Sequence, residues 1–251
     1  MQHPVSHRLK AVVLAAGKGT RMRTDGVDCP KVMREACGKP LLYHVLNALD
    51  FIAPEDTILV VGYQKEVIID AFPGYVFAEQ TEQLGTGHAV MMAMPALADH
   101  DGDVLVCCGD MPLIRRETYQ ALYEVHCQSD ALCTMLTGSS DVPLSYGRIL
   151  RDEAGNFVRV VEERDCTPEQ LAIDELNCGV YIFNCRALSS ALGRLGRANA
   201  QGEYYLTDVP ALLQADGNPP AVCRRTLGLE IIGVNTPEHL AAVEQALRSR
   251  T

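Results

Sequence analysis

The chain has 251 residues, of which 47% are hydrophobic and 22% are charged, a composition that supports a folded globular domain and excludes a largely disordered chain. Its 32 acidic and 22 basic side chains give a formal net charge of −10 at pH 7. This balance argues against a non-specific nucleic-acid binder, which needs a clustered basic face, but allows a small anionic ligand held by a few cations.

Targeting and redox signals favour a cytoplasmic protein. Residues 1–10 are polar and interrupted by Pro4, and the first apolar run, Ala11–Ala16, is too short for the core of a signal peptide. No stretch approaches the roughly eighteen uninterrupted apolar residues of a membrane helix. The 10 cysteines lack C-x-x-C spacing, which is typical of zinc ligands, so we expect mostly buried thiols in a reducing cytoplasm.

Strand-like and helical patterns alternate along the first half of the chain. Two helices are predicted, one directly after Pro40 and one from about Thr86 to Ala98. This alternation favours a doubly wound α/β sheet with mainly parallel strands. The runs typical of buried strands are Lys10–Ala16, Thr57–Val61, Tyr75–Ala78 and Val104–Cys108.

The second half has more strands and fewer helices, which predicts a more β-rich lobe of one continuous domain. A hairpin turn is predicted at Asp152–Asn156. The chain is predicted to close with a strand, Glu230–Val234, and a helix capped by Thr236 with Pro237 in its first turn. The other predicted strands are Ala131–Leu136, Gly147–Arg151, Val158–Glu162 and Val180–Asn184.

A glycine-rich segment, Leu14–Arg21, follows the first predicted strand and so lies where open α/β sheets bind ligands. Its glycines let backbone N–H groups approach phosphate oxygens, and Arg21 and Lys31 add positive charge. Met22 and Val12 stand where a dinucleotide fingerprint and a P-loop require other residues. On the glycines alone, a phosphate-binding loop and a basic, solvent-facing turn are equally open interpretations.

A second glycine-rich turn is formed by Gly85 and Gly87, which flank Thr86 at the start of the predicted helix. Gln80, just before it, carries both a donor and an acceptor, as recognition of a nucleobase edge requires. We expect a structural role for His88.

Asp110 is the strongest metal candidate, because it follows the strand Val104–Cys108 and points toward the same crevice as the first glycine-rich loop. Mg²⁺ prefers one or two carboxylates together with phosphate oxygens and water, and Asn235 offers a second oxygen. The alternative is that Asp110 only caps the next turn. If the nucleophile is a sugar phosphate, its oxygen is already ionised at neutral pH, so catalysis needs positioning and charge neutralisation and no general base.

Eight motifs occur in a fixed order along the chain: Leu14–Met22, Pro30–Val32, Glu82–Ala89, Tyr146–Ile149, Val161–Glu162, Glu175–Asn177, Gln201–Asp208 and Gly233–Asn235. Together they resemble the uridylyltransferase domain of bacterial UDP-N-acetylglucosamine pyrophosphorylases, within the sugar nucleotidyltransferase family. The resemblance runs from about residue 9 to the last helix. The opening motif alone marks sugar nucleotidyltransferases broadly, whereas the later motifs are more specific.

The resemblance implies a Rossmann-like nucleotidyltransferase fold, with a mixed, mostly parallel central sheet flanked by helices and a more β-rich second lobe. It implies Mg²⁺-dependent transfer of a uridylyl group from UTP to N-acetylglucosamine 1-phosphate, giving UDP-N-acetylglucosamine and pyrophosphate. Residues 1–251 would form a single domain, with a nucleotide-binding half at about residues 9–130. The sugar-binding half, at about residues 131–251, would include the C-terminal helix.

The resemblance also implies roles for individual residues. Arg21 and Lys31 would supply catalytic charge, and Asp110 and Asn235 would hold the metal. The nucleotide would be bound by Leu14, Ala15, Ala16, Gly17, Gln80, Gly85, Thr86, Cys108 and Gly109. The sugar would be bound by Gly147, Glu162, Asn177, Tyr205 and Thr207.

Three departures from the family pattern leave the substrates open. Cys108 replaces a tyrosine, Cys178 replaces a threonine, and the loop Arg23–Cys29 is longer than usual. Alternatives are transfer to another sugar phosphate such as glucose 1-phosphate, use of dTTP, or a non-catalytic UDP-sugar sensor. Bifunctional relatives continue into a trimerising β-helix with acetyltransferase activity. The sequence has no such hexapeptide repeat, so we expect neither acetylation nor a trimer of that kind.

Overall fold

A computed structural model describes residues 9–17, 19, 28–140 and 144–250. The strands in these ranges are β1 (Leu9–Leu14), β2 (Glu35–Ala36), β3 (Lys39–Pro40), β4 (Thr57–Val61), β5 (Val76–Glu79), β6 (Asp103–Cys108), β7 (Cys133–Ser139), β8 (Arg148–Arg151), β9 (Phe157–Val161), β10 (Leu176–Asn184) and β11 (Ala221–Thr226). The α-helices are α1 (Leu41–Ala48), α2 (Lys65–Ala71), α3 (Thr86–Ala93), α4 (Arg116–Gln128), α5 (Pro168–Leu171), α6 (Cys185–Leu192), α7 (Val209–Ala215) and α8 (Pro237–Arg248).

A nine-stranded mixed sheet forms the centre of the described chain, in the order β11-β7-β10-β6-β1-β4-β5, with β8 and β9 attached beside β10. Along this path every neighbouring pair is parallel except the two that β10 makes with β6 and β7. The α/β fold with a mixed, mostly parallel central sheet is therefore confirmed.

The hydrophobic core lies on both faces of this sheet. Successive side chains of a strand point to opposite faces. Accordingly, Val13 and Leu59 belong to one buried cluster, with residues of α1, α4 and α8. Val12 and Ile58 belong to a second cluster, with residues of α3, α6 and α7. Because helices cover both faces, the central strands are mostly buried and read as largely apolar runs.

Most predicted strands are present with shifted ends. The predicted Thr57–Val61 coincides with β4, and the predicted Val180–Asn184 is the second half of the longer β10. The predicted hairpin turn at Asp152–Asn156 is confirmed, because β8 and β9 pair in antiparallel fashion around it.

Two predicted elements need correction. Glu230–Val234 is not a strand, because residues Gly228–Ile231 form a 3₁₀ turn and only an extended segment follows. The helix predicted from Thr86 to Ala98 ends at Ala93 and continues as a 3₁₀ turn, Met94–Leu97. Pro95 lies at this change, and a proline both lacks an N–H donor and crowds the preceding turn of an α-helix.

The C-terminal helix begins as predicted. The Thr236 hydroxyl accepts a hydrogen bond from the His239 N–H at 3.3 Å, and Pro237 occupies the first turn. Val243 is fully buried in the core cluster. The longest described helix, α4, has 13 residues, and within the described ranges none combines the length and apolarity needed to cross a lipid bilayer.

All 10 cysteines are free thiols. Five are buried, while Cys37 and Cys127 are exposed, so the expectation of mostly buried cysteines holds for half of them. The buried set is Cys107, Cys133, Cys178, Cys185 and Cys223.

Candidate active site

Two adjoining clefts lie at the carboxyl ends of β1 and β6. The first cleft, of about 250 Å³, is lined by the loop after β1 and by the turn before α3. The second cleft, of about 170 Å³, is lined by residues of the β-rich lobe. They share four lining residues: Leu14, Thr86, Cys108 and Asp110. Ligands bound in the two clefts would therefore meet at Asp110.

The loop after β1 presents open backbone to the first cleft. The Ala15 N–H donates to the Val60 carbonyl at 2.8 Å, and the Gly109 N–H donates to the Leu14 carbonyl at 2.9 Å. These bonds fix the loop against β4 and β6. A Cβ added at Gly17 would meet no described atom within 4 Å, so its exposed backbone is free to approach a ligand.

The turn before α3 is held in place by Gln80 and by the segment around Tyr204. The buried Gln80 amide donates to the Gly85 carbonyl at 3.1 Å and contacts His88 Nδ1 at 3.1 Å, which gives His88 a structural role. Gly85 has φ +107°, and a Cβ there would lie 2.5 Å from the Tyr204 carbonyl oxygen. This position therefore requires glycine.

Lys31, Asp110 and Asn235 meet at the junction of the two clefts. The Lys31 ammonium forms an ion pair with Asp110 Oδ2 and donates to Asn235 Oδ1 at 2.8 Å. Asp110 directly follows β6, and the Val234 N–H donates to its carbonyl at 2.9 Å, which brings Asn235 alongside. Two side-chain oxygens thus converge on one cationic atom.

The second cleft concentrates polar groups. Glu162 accepts a hydrogen bond from the Thr207 hydroxyl at 2.9 Å. Burial raises the pKa of the Glu162 carboxyl above its ordinary value. Asn177 accepts from the Tyr181 hydroxyl at 2.9 Å, and its N–H donates to the Gly147 carbonyl at 2.9 Å. These donors and acceptors suit a ligand with several hydroxyl or amide groups.

Cys108 lies at the boundary of both clefts, beside Asp110. Burial, reinforced by the Asp110 carboxylate, raises the pKa of the Cys108 thiol far above its ordinary value. The thiol therefore stays protonated at neutral pH and acts as a small packing group rather than a nucleophile.

Of the assigned residues that the structure describes, most line one of the clefts and three do not. Ala15 and Gly109 are buried, and their backbone N–H groups form the hydrogen bonds that hold the loop after β1. The Tyr205 hydroxyl accepts from the Gln201 amide at 3.0 Å and donates to Asp165 Oδ2 at 3.2 Å, and Tyr205 lines neither cleft. Arg21 lies outside the described residues, and so do residues 23–27 of the longer loop.

Two tyrosines of the second cleft were not assigned from the sequence. Tyr146 lies in the motif Tyr146–Ile149, but only its neighbour Gly147 was predicted to bind the sugar. Tyr181 follows Asn177 on β10 after a register shift, and the apolar pattern of that strand gave no signal for it. The Tyr146 hydroxyl bonds to Gly233 and the Tyr181 hydroxyl to Asn177, two other residues that line this cleft.

The chain is similar to known proteins over most of its length. A family model described as the MobA-like NTP transferase domain matches residues 11–170. The bifunctional protein GlmU of Heliobacterium modesticaldum is 46% identical over 247 residues, covering 97% of this chain and 53% of the relative. GlmU of Exiguobacterium sibiricum is 42% identical over 242 residues, with 96% and 53% covered. The chain thus spans about half the length of these curated relatives.

A solved structure shares the fold. It is a putative glucose-1-phosphate thymidylyltransferase from Bacillus anthracis, with a TM-score of 0.74 and 17% sequence identity, covering 96% of this chain and 95% of that one.

Proposed function

This chain belongs to the MobA-like NTP transferase domain family, and we propose that it makes UDP-N-acetylglucosamine. In the proposed reaction a uridylyl group passes from UTP to N-acetylglucosamine 1-phosphate, and pyrophosphate leaves. The observation that carries the proposal is the meeting of Lys31, Asp110 and Asn235 where the two clefts join. A nucleotide in the first cleft and a sugar phosphate in the second would bring their phosphates together there.

The residues at this junction fit a divalent metal, and we propose Mg²⁺. Asp110 and Asn235 present hard oxygen atoms that already converge on the Lys31 ammonium. One or two protein oxygens are the usual protein share of a Mg²⁺ site whose remaining ligands are phosphate oxygens and water. The metal supplies charge neutralisation on the phosphates when bound. No described group of three or more His, Cys, Asp or Glu side chains forms a denser metal cage.

The proposed chemistry needs positioning and charge rather than a base. A phosphate oxygen of the sugar 1-phosphate attacks the α-phosphorus of UTP. A new phosphorus–oxygen bond forms as the bond from that phosphorus to the bridging oxygen of the β-phosphate breaks, and pyrophosphate carries away the electron pair. The Lys31 ammonium stabilises the charge that develops on these oxygens. Arg21 is the second cation proposed for this role.

The polar groups of the clefts support the two substrates. The backbone at Gly17 is open to solvent and available to triphosphate oxygens. Gln80 lines the first cleft beside the turn before α3, where we propose that the base binds. Glu162, Asn177 and Thr207 line the second cleft and offer both donors and acceptors to an acetamido sugar. The GlmU relatives, at 46% and 42% identity, favour the same pair.

The test is pyrophosphate release with Mg²⁺, pairing UTP or dTTP with N-acetylglucosamine 1-phosphate, glucosamine 1-phosphate or glucose 1-phosphate. We expect a clear preference for UTP with the N-acetylated sugar. Preference for another pair would keep the nucleotidyl transfer and overturn the substrates, making Cys108 and Cys178 candidates for the difference. Tight UDP-sugar binding without turnover by any pair would instead indicate a sensor.

A further inference from the structure

Tyr146 bridges the wall of the second cleft. Its hydroxyl donates to the Ile231 carbonyl at 2.5 Å and accepts from the Gly233 N–H at 2.9 Å. Ile231 and Gly233 lie 85 and 87 residues after Tyr146 in the sequence. One side chain therefore holds both ends of the short turn that leads into Asn235.

The backbone of Tyr146 is itself fixed to the β-rich lobe. The buried Arg148 guanidinium donates to the Tyr146 carbonyl, and the next residue, Gly147, accepts from the Asn177 N–H at 2.9 Å. Arg148 begins β8, which pairs with both β9 and β10. Tyr146 is thus a rigid connection between the strands of the lobe and the turn before α8.

The orientation of the Asn235 amide depends on this turn. Its Nδ2 donates to the Gly233 carbonyl at 3.3 Å, which leaves Oδ1 facing Lys31 at 2.8 Å. A displaced Gly233 would release the amide nitrogen and allow the side chain to rotate. The Tyr146 hydroxyl holds Gly233 through its N–H, so it helps to fix which Asn235 atom faces Lys31.

We propose that Tyr146 is a positioning residue for the divalent metal, acting through Gly233 to present the Asn235 oxygen beside Asp110. The proposal deepens the proposed function and rests on its assignment of the metal to Asp110 and Asn235. Burial and the Asp110 carboxylate keep the pKa of Tyr146 well above its ordinary value. The hydroxyl is therefore protonated at neutral pH and can donate to the Ile231 carbonyl.

The test is Mn²⁺ binding, measured by electron paramagnetic resonance on the wild-type protein and on Tyr146→Phe. Loss of a hydrogen bond that orients a ligand should weaken Mn²⁺ binding by about three- to tenfold. The Mg²⁺ concentration for half-maximal turnover should rise by a similar factor, while kcat at saturating Mg²⁺ should stay within about twofold. Equal Mn²⁺ affinity in the two proteins would overturn the proposal.

Tyr181→Phe is the matched control, because it removes a tyrosine hydroxyl from the same cleft. That hydroxyl bonds to Asn177 on the sugar side. The control should raise KM for the sugar phosphate and leave Mn²⁺ affinity unchanged. An equal loss of Mn²⁺ affinity in both variants would indicate a general loosening of the cleft and would count against a specific role for Tyr146.

Gly233→Ala tests the same contact from the opposite side. A Cβ there would lie 2.9 Å from the Tyr146 hydroxyl oxygen, so this variant should also weaken Mn²⁺ binding. Combining it with Tyr146→Phe removes the crowded oxygen, and the double variant should bind Mn²⁺ no more weakly than Gly233→Ala alone. Additive losses would overturn the coupling, and the Gly233 variant carries the test if Tyr146→Phe does not fold.

The outcomes separate this inference from the proposed function. Wild-type protein that binds Mn²⁺ but turns over none of the six substrate pairs would defeat the function, while the comparison with Tyr146→Phe would still decide the positioning role. Wild-type protein that binds no Mn²⁺, with or without UDP-N-acetylglucosamine, would overturn the inference, because no metal would be positioned.

Discussion

Lys31 contacts both oxygens proposed to hold the metal, so one cation links the Asp110 carboxylate and the neutral Asn235 amide. The ammonium and the Asp110 carboxylate are each less than one-fifth exposed, at 15% and 17%. Limited access to water strengthens interactions between such charges and with phosphate groups. The three residues are therefore expected to respond as a unit when one of them is changed.

Asp110→Asn should lower kcat/KM by about 10²- to 10³-fold, because Asp110 is the charged one of the two residues proposed to hold the metal.

Lys31→Ala should lower kcat/KM by about 10²-fold or more, because the negative charge of the transition state loses a stabilising cation. Steady-state kinetics over a range of Mg²⁺ concentrations measure both. The matched control is Asp101→Asn, which removes an exposed carboxylate paired with Arg186 and should leave turnover unchanged.

Full activity of Asp110→Asn at saturating Mg²⁺ would contradict the metal role of Asp110. A change confined to KM in Lys31→Ala would assign Lys31 to ground-state binding instead of the transition state.

Glu162, proposed to bind the sugar, lowers the stability of the folded chain because its carboxylate is buried. Burial is the largest cause of its raised pKa, and the nearby carboxylates of Asp208 and Asp165 add to it. Glu162→Gln keeps a hydrogen-bond acceptor for Thr207 but removes the buried charge. At pH 7 it should raise Tm by about 2–4 °C, corresponding to roughly 1 kcal/mol for a chain of this size. It should also raise KM for the sugar phosphate.

The stability gained by Glu162→Gln should depend on pH, and the raised pKa of Glu162 fixes the direction of that dependence. A carboxyl whose folded pKa is raised binds more protons in the folded state, so the wild-type protein loses stability as pH rises from the ordinary pKa through the folded pKa. The advantage of Glu162→Gln should therefore be small at pH 4, grow across that window and then level off. Thermal melts of both proteins from pH 4 to pH 8 measure it, and a constant difference would refute the burial argument.

Among the elements, β8, β10 and β7 are tied together by a buried ion pair. Glu175 precedes β10 and is 4% exposed. Arg151, at the end of β8, donates to both of its carboxylate oxygens at 2.8 and 2.7 Å. Thr137 of β7 donates to the same carboxylate at 2.8 Å. Burial alone would raise the pKa of Glu175, but the hydrogen bonds from Arg151 and Thr137 outweigh it and lower the pKa.

Arg151→Ala should lower the free energy of unfolding by about 2–3 kcal/mol, because it leaves a buried carboxylate without its main partner. Arg194→Ala is the matched control, since Arg194 makes a similar two-bond contact with Asp216 on the exposed surface and should cost less than about 1 kcal/mol. Urea unfolding at pH 7 measures both. Equal costs would show that burial of Glu175 does not matter.

The Arg151 effect should fade in acid. A carboxyl with a lowered folded pKa contributes stability above its ordinary pKa and loses it as pH falls through the folded value. The difference between wild-type protein and Arg151→Ala should therefore narrow as the pH is lowered below about 4.

The elements that the sequence predicted well share one property, which is burial on both faces. All five residues of β4, Thr57–Val61, are buried, so the strand reads as an uninterrupted apolar run with sharp ends. The edge strand β11 was missed because its second half is exposed and carries two arginines, Arg224 and Arg225. Residues 231–234 are also buried and apolar, but they pack beside the sheet without pairing, and a sequence pattern does not distinguish these two arrangements.

The site was predictable in part for the same reason. Asp110 follows a parallel strand next to β1, and carboxyl ends of parallel strands share one edge of a sheet, so its proximity to the glycine-rich loop could be inferred. The bond from Tyr146 to Ile231 joins residues 85 apart. This hydrogen bond depends on the path of two loops, and neither hydrophobic periodicity nor motif spacing predicts that path.

At the scale of the whole molecule, β10 joins the two predicted halves into one sheet. It pairs with β6 of the first half and with β7 of the second. The core cluster that contains Val13 and Leu59 also contains Leu136, Ile182 and Val243. Neither residues 9–130 nor residues 131–251 therefore enclose a complete core, and β6 without β10 would have an exposed edge.

We accordingly predict that the chain unfolds in a single transition. In scanning calorimetry the ratio of calorimetric to van't Hoff enthalpy should be close to one, with a total enthalpy of about 175 kcal/mol near 60 °C for a chain of this length. A fragment of residues 9–130 should lack a cooperative transition, because its share of the core lacks the side chains of β10 and α8. Two resolved transitions, or a fragment that melts cooperatively, would show that the halves are separate domains and that β10 only links them.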